Sequence, residues 1–134
     1  MKILVMEDDF TSATVLQKIM SEFGDVTLAI DGKVAVNLYM ESFKKGERYD
    51  LVCLDIMVPE IDGQEVLRII RTHEIENGIN SLANRSKIVM ITALNDIDNL
   101  MESFREQCEG YIIKPFSREK IRHTFNQLNL INNV

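Results

Sequence analysis

The chain alternates between short apolar runs and stretches of helical period, and this alternation restricts its fold more than any other feature. Four runs, KILVM (2–6), LVCL (51–54), KIVMI (87–91) and YII (111–113), lack the clean polar alternation of half-exposed strands. Such runs suit parallel strands covered on both faces. A fifth, VTLAI (26–30), is mixed in character and predicts an edge strand. Between the runs the period changes. Ala13, Leu16, Ile19, Met20 and Phe23 make one helical stripe; Val34, Leu38, Met40 and Phe43 make a rougher one; Val66, Ile69 and Ile70 make a third. Ile97, Leu100, Met101, Phe104 and Cys108 follow, then Ile121, Phe125 and Leu128. Asp31, Asn95 and Ser117 are placed to cap the helices that begin after them. Strand and helix in strict alternation predict an α/β fold with a parallel sheet and right-handed crossovers.

Size and charge narrow the function classes. A chain of 134 residues suits one domain with one continuous core, and its beginning just before the first strand predicts a single-domain protein over 1–134. No apolar run reaches the length of a membrane span, and MKILVMEDD meets carboxylates where a secretory signal needs a longer apolar stretch. The expectation is a cytoplasmic protein without membrane association. A net charge of −6 argues against nucleic acid as a direct partner, because phosphate-backbone binding needs a basic face. Cys53 and Cys108 lie among apolar residues without a CxxC pattern and read as buried free thiols. One connection, THEIENGINSLANRS (72–86), is longer than needed; it predicts a helix continuing past His73 and then a polar surface loop.

Chemistry gathers where the strands end. In an open parallel sheet, ligands bind beyond the carboxyl ends of the strands. Glu7-Asp8-Asp9 follows the first strand, Asp55 the third, Thr92 the fourth and Lys114-Pro115 the fifth. Each alone has a plain explanation, since acids cap helices and lysines solvate loops. Together they predict one pocket, with Pro115 fixing the turn that aims Lys114 into it.

The stretches ILVMEDD, YDLVCLDIMVPEIDG, IVMITA and GYIIKPF, in that order, resemble the receiver domains of bacterial response regulators, of the CheY-like single-domain kind. The resemblance covers essentially the whole chain. It implies a flavodoxin-like (βα)5 fold with a doubly wound five-stranded sheet in order 2-1-3-4-5. It also implies that Asp55 accepts a phosphoryl group, and that Glu7, Asp8, Asp55 and the backbone carbonyl of Met57 bind Mg2+, for which Mn2+ can substitute. Thr92 and Lys114 are then the phosphate-binding pair, Ala93 the small residue beside them, and Tyr111 the aromatic of the switch. Pro59 and Gly63 shape the loop after the acceptor, and Gly63 in IDG permits a tight turn. In such domains the bond before the proline at 115 is typically cis.

Physical chemistry agrees with these roles. Several carboxylates in one pocket repel unless protonated or paired, and a hard cation with oxygen ligands relieves that strain. Transfer to a carboxylate needs chiefly positioning and charge neutralisation. Met57 and Leu94 flank the site in receivers; both are apolar here, so the resemblance implies a long-lived phosphoryl group. The implied partners are a sensor histidine kinase or histidine-phosphotransfer protein and a downstream protein that reads the face of the fourth helix, fifth strand and fifth helix. The chain would be a monomer or a phosphorylation-dependent dimer. A relay intermediate, or a receiver cut from a larger regulator or hybrid kinase, is the alternative to such a stand-alone regulator. A phosphohydrolase of the haloacid dehalogenase kind fits less well, because it wants D-x-D-x-T after the first strand and the chain offers EDD. An EF-hand lacks its alternating acids.

Overall fold

The computed structural model describes residues 1–56, 62–93 and 107–131. Five strands lie among them: β1 (Lys2–Met6), β2 (Asp25–Ala29), β3 (Leu51–Asp55), β4 (Lys87–Ala93) and β5 (Gly110–Lys114). They form one parallel sheet in the order β2-β1-β3-β4-β5. Three helices, α1 (Phe10–Met20), α2 (Gly32–Lys44) and α3 (Gly63–Glu76), and a C-terminal helix (Arg118–Gln127) pack against it. The flavodoxin-like order implied by the resemblance is therefore the order observed.

The period of two along each strand divides the core into two layers. Ile3 and Val5 of β1, Leu51 and Cys53 of β3, and Val89 and Ile91 of β4 point to one face. There they meet Leu16 and Met20 of α1 and Ile121 and Phe125 of the C-terminal helix. Leu4, Met6, Val52, Leu54, Ile88 and Met90 point the other way, onto Ala35 and Tyr39 of α2 and Val66, Leu67 and Ile70 of α3. Each such side chain, taken fully out of water, contributes about 1.5 to 3 kcal/mol before entropy is set against it.

Several expectations are corrected by the structure. β2 is an edge strand as expected but runs one residue earlier than 26–30, in register with β1 from Lys2 and Asp25. β5 is the opposite edge; only Ile112 in it is buried, so YII is not covered on both faces. In α2 the buried face is Gly32, Ala35, Tyr39 and Ser42, while Val34, Leu38, Met40 and Phe43 pack only partly against the core. A tyrosine and small residues carried that face, and a search for large aliphatics passes over them. Asp31 and Ser117 cap α2 and the C-terminal helix, accepting from Val34 N and Lys120 N. Helix α3 does run past His73, to Glu76. Asn95, and the stripe from Ile97 to Phe104, lie outside the described residues, as do Met57, Pro59 and Leu94.

Gly63 has a different reason from the one its sequence suggests. It is the first residue of α3, capped by Asp62, whose side chain accepts from Glu65 N. A Cβ at this position would fall 2.9 Å from the Asp55 carbonyl carbon and closer still to its oxygen. Glycine is needed here because α3 starts against the backbone of Asp55, not because the chain must turn with positive φ.

Candidate functional site at the carboxyl edge of the sheet

The backbone brings the polar residues together before any side chain acts. Asp55 is the last residue of β3 and lies beside Ile91 of β4. The next amide, Ile56 N–H, donates to Ile91 O at 3.1 Å, continuing the ladder. Glu7 extends β1 by donating its N–H to Ala29 O at 3.0 Å. Lys114 ends β5 and is in register with Ala93 of β4. Glu7, Asp55 and Lys114 thus arrive at one edge on strands whose ladder bonds fix their depth.

The side chains close the arrangement. Lys114 Nζ donates to Asp55 Oδ2 at 2.7 Å and stands 3.4 Å from Glu7 Oε1. Asp55 and Glu7 are each 2% exposed, whereas Asp8 is exposed. One carboxylate oxygen from each of Glu7, Asp8 and Asp55 lies within 4.8 Å of the others. Asp9 does something else: it caps α1, accepting from Ser12 N at 2.9 Å, and that bond holds its carboxyl below the usual carboxylate range. The acidic triplet EDD therefore divides into two pocket residues and one cap.

The electrostatics are those of an acidic pocket short of positive charge. Burial, then the neighbouring Asp55 carboxyl, pushes Glu7 up to about 7, against the pull of Lys114. Burial alone would lower Lys114, but its bond to Asp55 and the charges of Asp55 and Glu7 outweigh this and hold the ammonium above its usual range. Both Glu7 oxygens are buried without a hydrogen-bond donor in bonding geometry among the described residues. A buried Glu7 carboxyl whose oxygens accept no hydrogen bond, clustered with Asp55 and the exposed Asp8, fits a hard divalent cation.

Thr92 and Tyr111 sit beside this pocket on the other face of the sheet. Thr92 follows Met90 by two residues, and Met90 is in register with Tyr111, so the two side chains share the face that packs on α2 and α3. Thr92 is 2% exposed and donates its hydroxyl to Ala93 O at 3.2 Å. Tyr111 is half-buried against the core. The bond between Lys114 and Pro115 is cis. Of the residues the motifs single out, the structure gathers Glu7, Asp8, Asp55 and Lys114, and sets Thr92, Ala93 and Tyr111 alongside. Met57 and Pro59 fall outside the described residues.

Sequence reasoning missed a second charged cluster, at the amino ends of the strands. Arg71 of α3 donates to Glu74 at 2.6 Å, to Glu109 at 2.6 and 3.0 Å, to Ser86 O at 2.8 Å and to Gln107 O at 2.7 Å. Glu74, 1% exposed, also accepts from Ser86 N at 2.8 Å and Arg48 at 3.2 Å. A signal existed: Arg71 and Glu74 continue the buried stripe of Leu67 and Ile70 at spacings of three and four.

Comparison with known proteins bears on the same residues. The response regulator receiver domain matches residues 3–126. The osmosensing histidine protein kinase SLN1 of Saccharomyces cerevisiae is 31% identical over 123 residues, 90% of this chain and 9% of that protein. The probable transcriptional regulatory protein SilR of Salmonella typhimurium is 31% identical over 118 residues, 87% of this chain and 46% of that one. The chain thus spans less than half the length of either curated relative. The solved receiver domain of the sensor histidine kinase PA1611 of Pseudomonas aeruginosa, with a magnesium ion in its active site cleft, is 27% identical. Its TM-score is 0.71, with 96% of this chain and 97% of that one covered. With an acidic edge, an apposed lysine and the 2-1-3-4-5 sheet in place, this chain belongs to the response regulator receiver domain family of two-component signalling.

Proposed function

We propose that the chain is a phosphorylation-dependent switch in which Asp55 accepts a phosphoryl group from the phosphohistidine of a sensor kinase or a histidine-phosphotransfer protein. The observation that carries this is the placement of Asp55: buried at the end of a central strand, bonded to Lys114 at 2.7 Å, and clustered with Glu7 and Asp8. A carboxylate oxygen of Asp55 forms the new P–O bond as the P–N bond breaks, and the imidazole nitrogen leaves with the electron pair. Lys114 holds the carboxylate in place and faces the charge that develops on the phosphoryl oxygens. Mg2+, or Mn2+ in its place, would be held by Glu7, Asp8, Asp55 and the Met57 carbonyl, and when bound it supplies charge neutralisation.

The product adds about −1.5 to −2 charges and three acceptor oxygens at Asp55. Thr92, which now bonds the Ala93 carbonyl, can turn its hydroxyl to one of those oxygens, past the small side chain of Ala93. Tyr111 shares the Thr92 face and can move into the space vacated, changing the surface that a downstream protein reads. Each ligand shifts this equilibrium only by its differential affinity for the two states. In this reading residues 1–134 are one receiver domain acting in the cytoplasm, as a monomer or a phosphorylation-dependent dimer, with no catalysis beyond its own phosphorylation and dephosphorylation. No helix among the described residues is long and apolar enough to cross a membrane. Similarity to a segment of SLN1, itself a histidine kinase, supports a second role as a relay that passes the phosphoryl group to a histidine-phosphotransfer protein.

Intact mass after incubation with acetyl phosphate, with and without Mg2+, tests the reading. The expected result is one Mg2+-dependent phosphoryl addition that is absent from Asp55→Asn. Addition that persists in Asp55→Asn, or none in the parent chain, overturns it.

A further inference from the structure

The three carboxyl groups at the carboxyl edge are held by unequal means. Asp55 ends β3, and its Oδ2 accepts from Lys114 at 2.7 Å. Glu7 is buried, with its backbone tied to Ala29. Asp8 is exposed, and among the described residues no hydrogen bond or ion pair restrains its carboxylate. One of its oxygens nevertheless lies within 4.8 Å of an oxygen of each of the other two. The place of Asp8 in the cluster is therefore set by the backbone that carries it.

That backbone is one residue strung between two anchors. Before it, Glu7 N–H donates to Ala29 O at 3.0 Å. After it, Asp9 opens α1: its carbonyl accepts from Ala13 N at 2.8 Å and its Oδ2 from Ser12 N at 2.9 Å. The carbonyl bond belongs to the helix ladder, and any residue can make it; the Oδ2 bond needs a short side chain that ends in an oxygen. Asp9 has extended angles, φ −81° and ψ 117°, so the chain turns from strand into helix at this residue. Without the Oδ2 bond the first turn of α1 frays, and the second anchor of Asp8 loosens with it. Glu7 and Asp55 keep their own restraints when this happens.

We propose that Asp9 is a positioning residue for the divalent cation: its bond to Ser12 N fixes the start of α1 and so holds Asp8 in place as a ligand. The inference rests on the reading of Glu7, Asp8 and Asp55 as cation ligands given above. Asp9 itself stands outside the converging carboxyl groups and directs Oδ2 to the helix. Groups that orient a ligand without touching the metal commonly govern its affinity. The role asks for a capping oxygen and not for a charge, so asparagine and serine serve in it as well as aspartate.

Mg2+ titration of the full chain, followed through the amide NMR resonances of Glu7 and Asp8, measures this without a phosphoryl donor. About 1 M KCl, where the Debye length is about 3 Å, screens the charge of residue 9 from the comparison. Asp9→Ala should bind Mg2+ at least about fivefold more weakly, the equivalent of one lost cap, while Asp9→Asn and Asp9→Ser should stay within about twofold of the parent. Urea unfolding of the same variants separates positioning from general support. An Asp9→Ala variant that is less stable but binds Mg2+ as the parent does overturns the inference and leaves the cation reading standing. Losses in Asp9→Asn and Asp9→Ser as large as in Asp9→Ala also overturn it, because charge or direct ligation would then be the cause. A parent chain that does not bind Mg2+ overturns the cation reading and the inference together.

Discussion

Replacing Glu7 by glutamine should stabilise the metal-free protein above neutral pH, although it removes a residue from the proposed site. Glu7 is raised from 4.5 to about 7, mainly by burial and then by Asp55. A carboxyl whose folded value is raised contributes stability that is fully present below about 4.5 and lost as pH rises through about 7. Each unit corresponds to about 1.4 kcal/mol, so a rise from 4.5 to about 7 makes the loss across this window about 3 kcal/mol. Glutamine keeps the shape and cannot ionise, so the variant should not pay this penalty. Urea unfolding in EDTA from pH 4.5 to 8.5 measures it: the parent should fall relative to Glu7→Gln by about that amount, most steeply between the two values and levelling off above about 7. Divalent cation should restore the parent above pH 7 and affect Glu7→Gln much less. A flat difference curve in EDTA would refute the assignment of buried strain to Glu7.

Other perturbations probe separate parts of the structure. Gly63→Ala should cost about 1 to 3 kcal/mol in urea unfolding, because the new methyl meets the Asp55 backbone and not a movable side chain, and it should also slow phosphoryl uptake. Unchanged stability would mean that α3 can withdraw freely. Arg71→Ala should cost about 3 to 5 kcal/mol by stranding the buried Glu74 and the partly buried Glu109 carboxylates, whereas Arg71→Met with Glu74→Leu should recover much of that in thermal melts. Leu94→Glu or Met57→Asn should speed loss of the phosphoryl group from Asp55, followed by intact mass over time, because the receiver resemblance implies that both positions flank Asp55, where a polar group would orient an attacking water.

The carboxyl-edge site was legible because its residues follow apolar runs whose identity as strands is plain, and a parallel sheet leaves only one edge for them to share. Asp55 and Lys114 meet as their positions at the ends of β3 and β5 require. The amino-edge cluster was hidden for a related reason: Arg71 and Glu74 lie inside a helix, where charge is ordinarily solvent-facing, and their partners Ser86 and Glu109 come from distant loops. Asp9 could not be separated from Glu7 and Asp8 by sequence, since the choice between cap and pocket depends on where α1 begins. Tyr39 escaped notice because its ring fills the α2 layer where a search for aliphatic periodicity expects leucine. Gly63 needed coordinates, because steric contact with a carbonyl eight residues earlier leaves no trace in local pattern.

The two ends of the sheet treat buried charge in opposite ways, and the contrast separates scaffold from reactive site. At the amino ends, Glu74 and Glu109 are met by Arg48, Arg71 and Arg85, with backbone groups of Ser86 and Ile88 completing their bonds. Such a cluster has little left to gain from an ion. At the carboxyl ends, Glu7, Asp8 and Asp55 gather beside Lys114, and Glu7 relieves the excess by holding a proton to about pH 7. Glu7 and Asp55 are buried as deeply as Glu74, so burial does not distinguish the two ends. What does is the gathering of three carboxyl groups, Glu7, Asp8 and Asp55, in one pocket: that excess of negative charge favours cation binding and makes the pocket responsive when a further anionic group is attached.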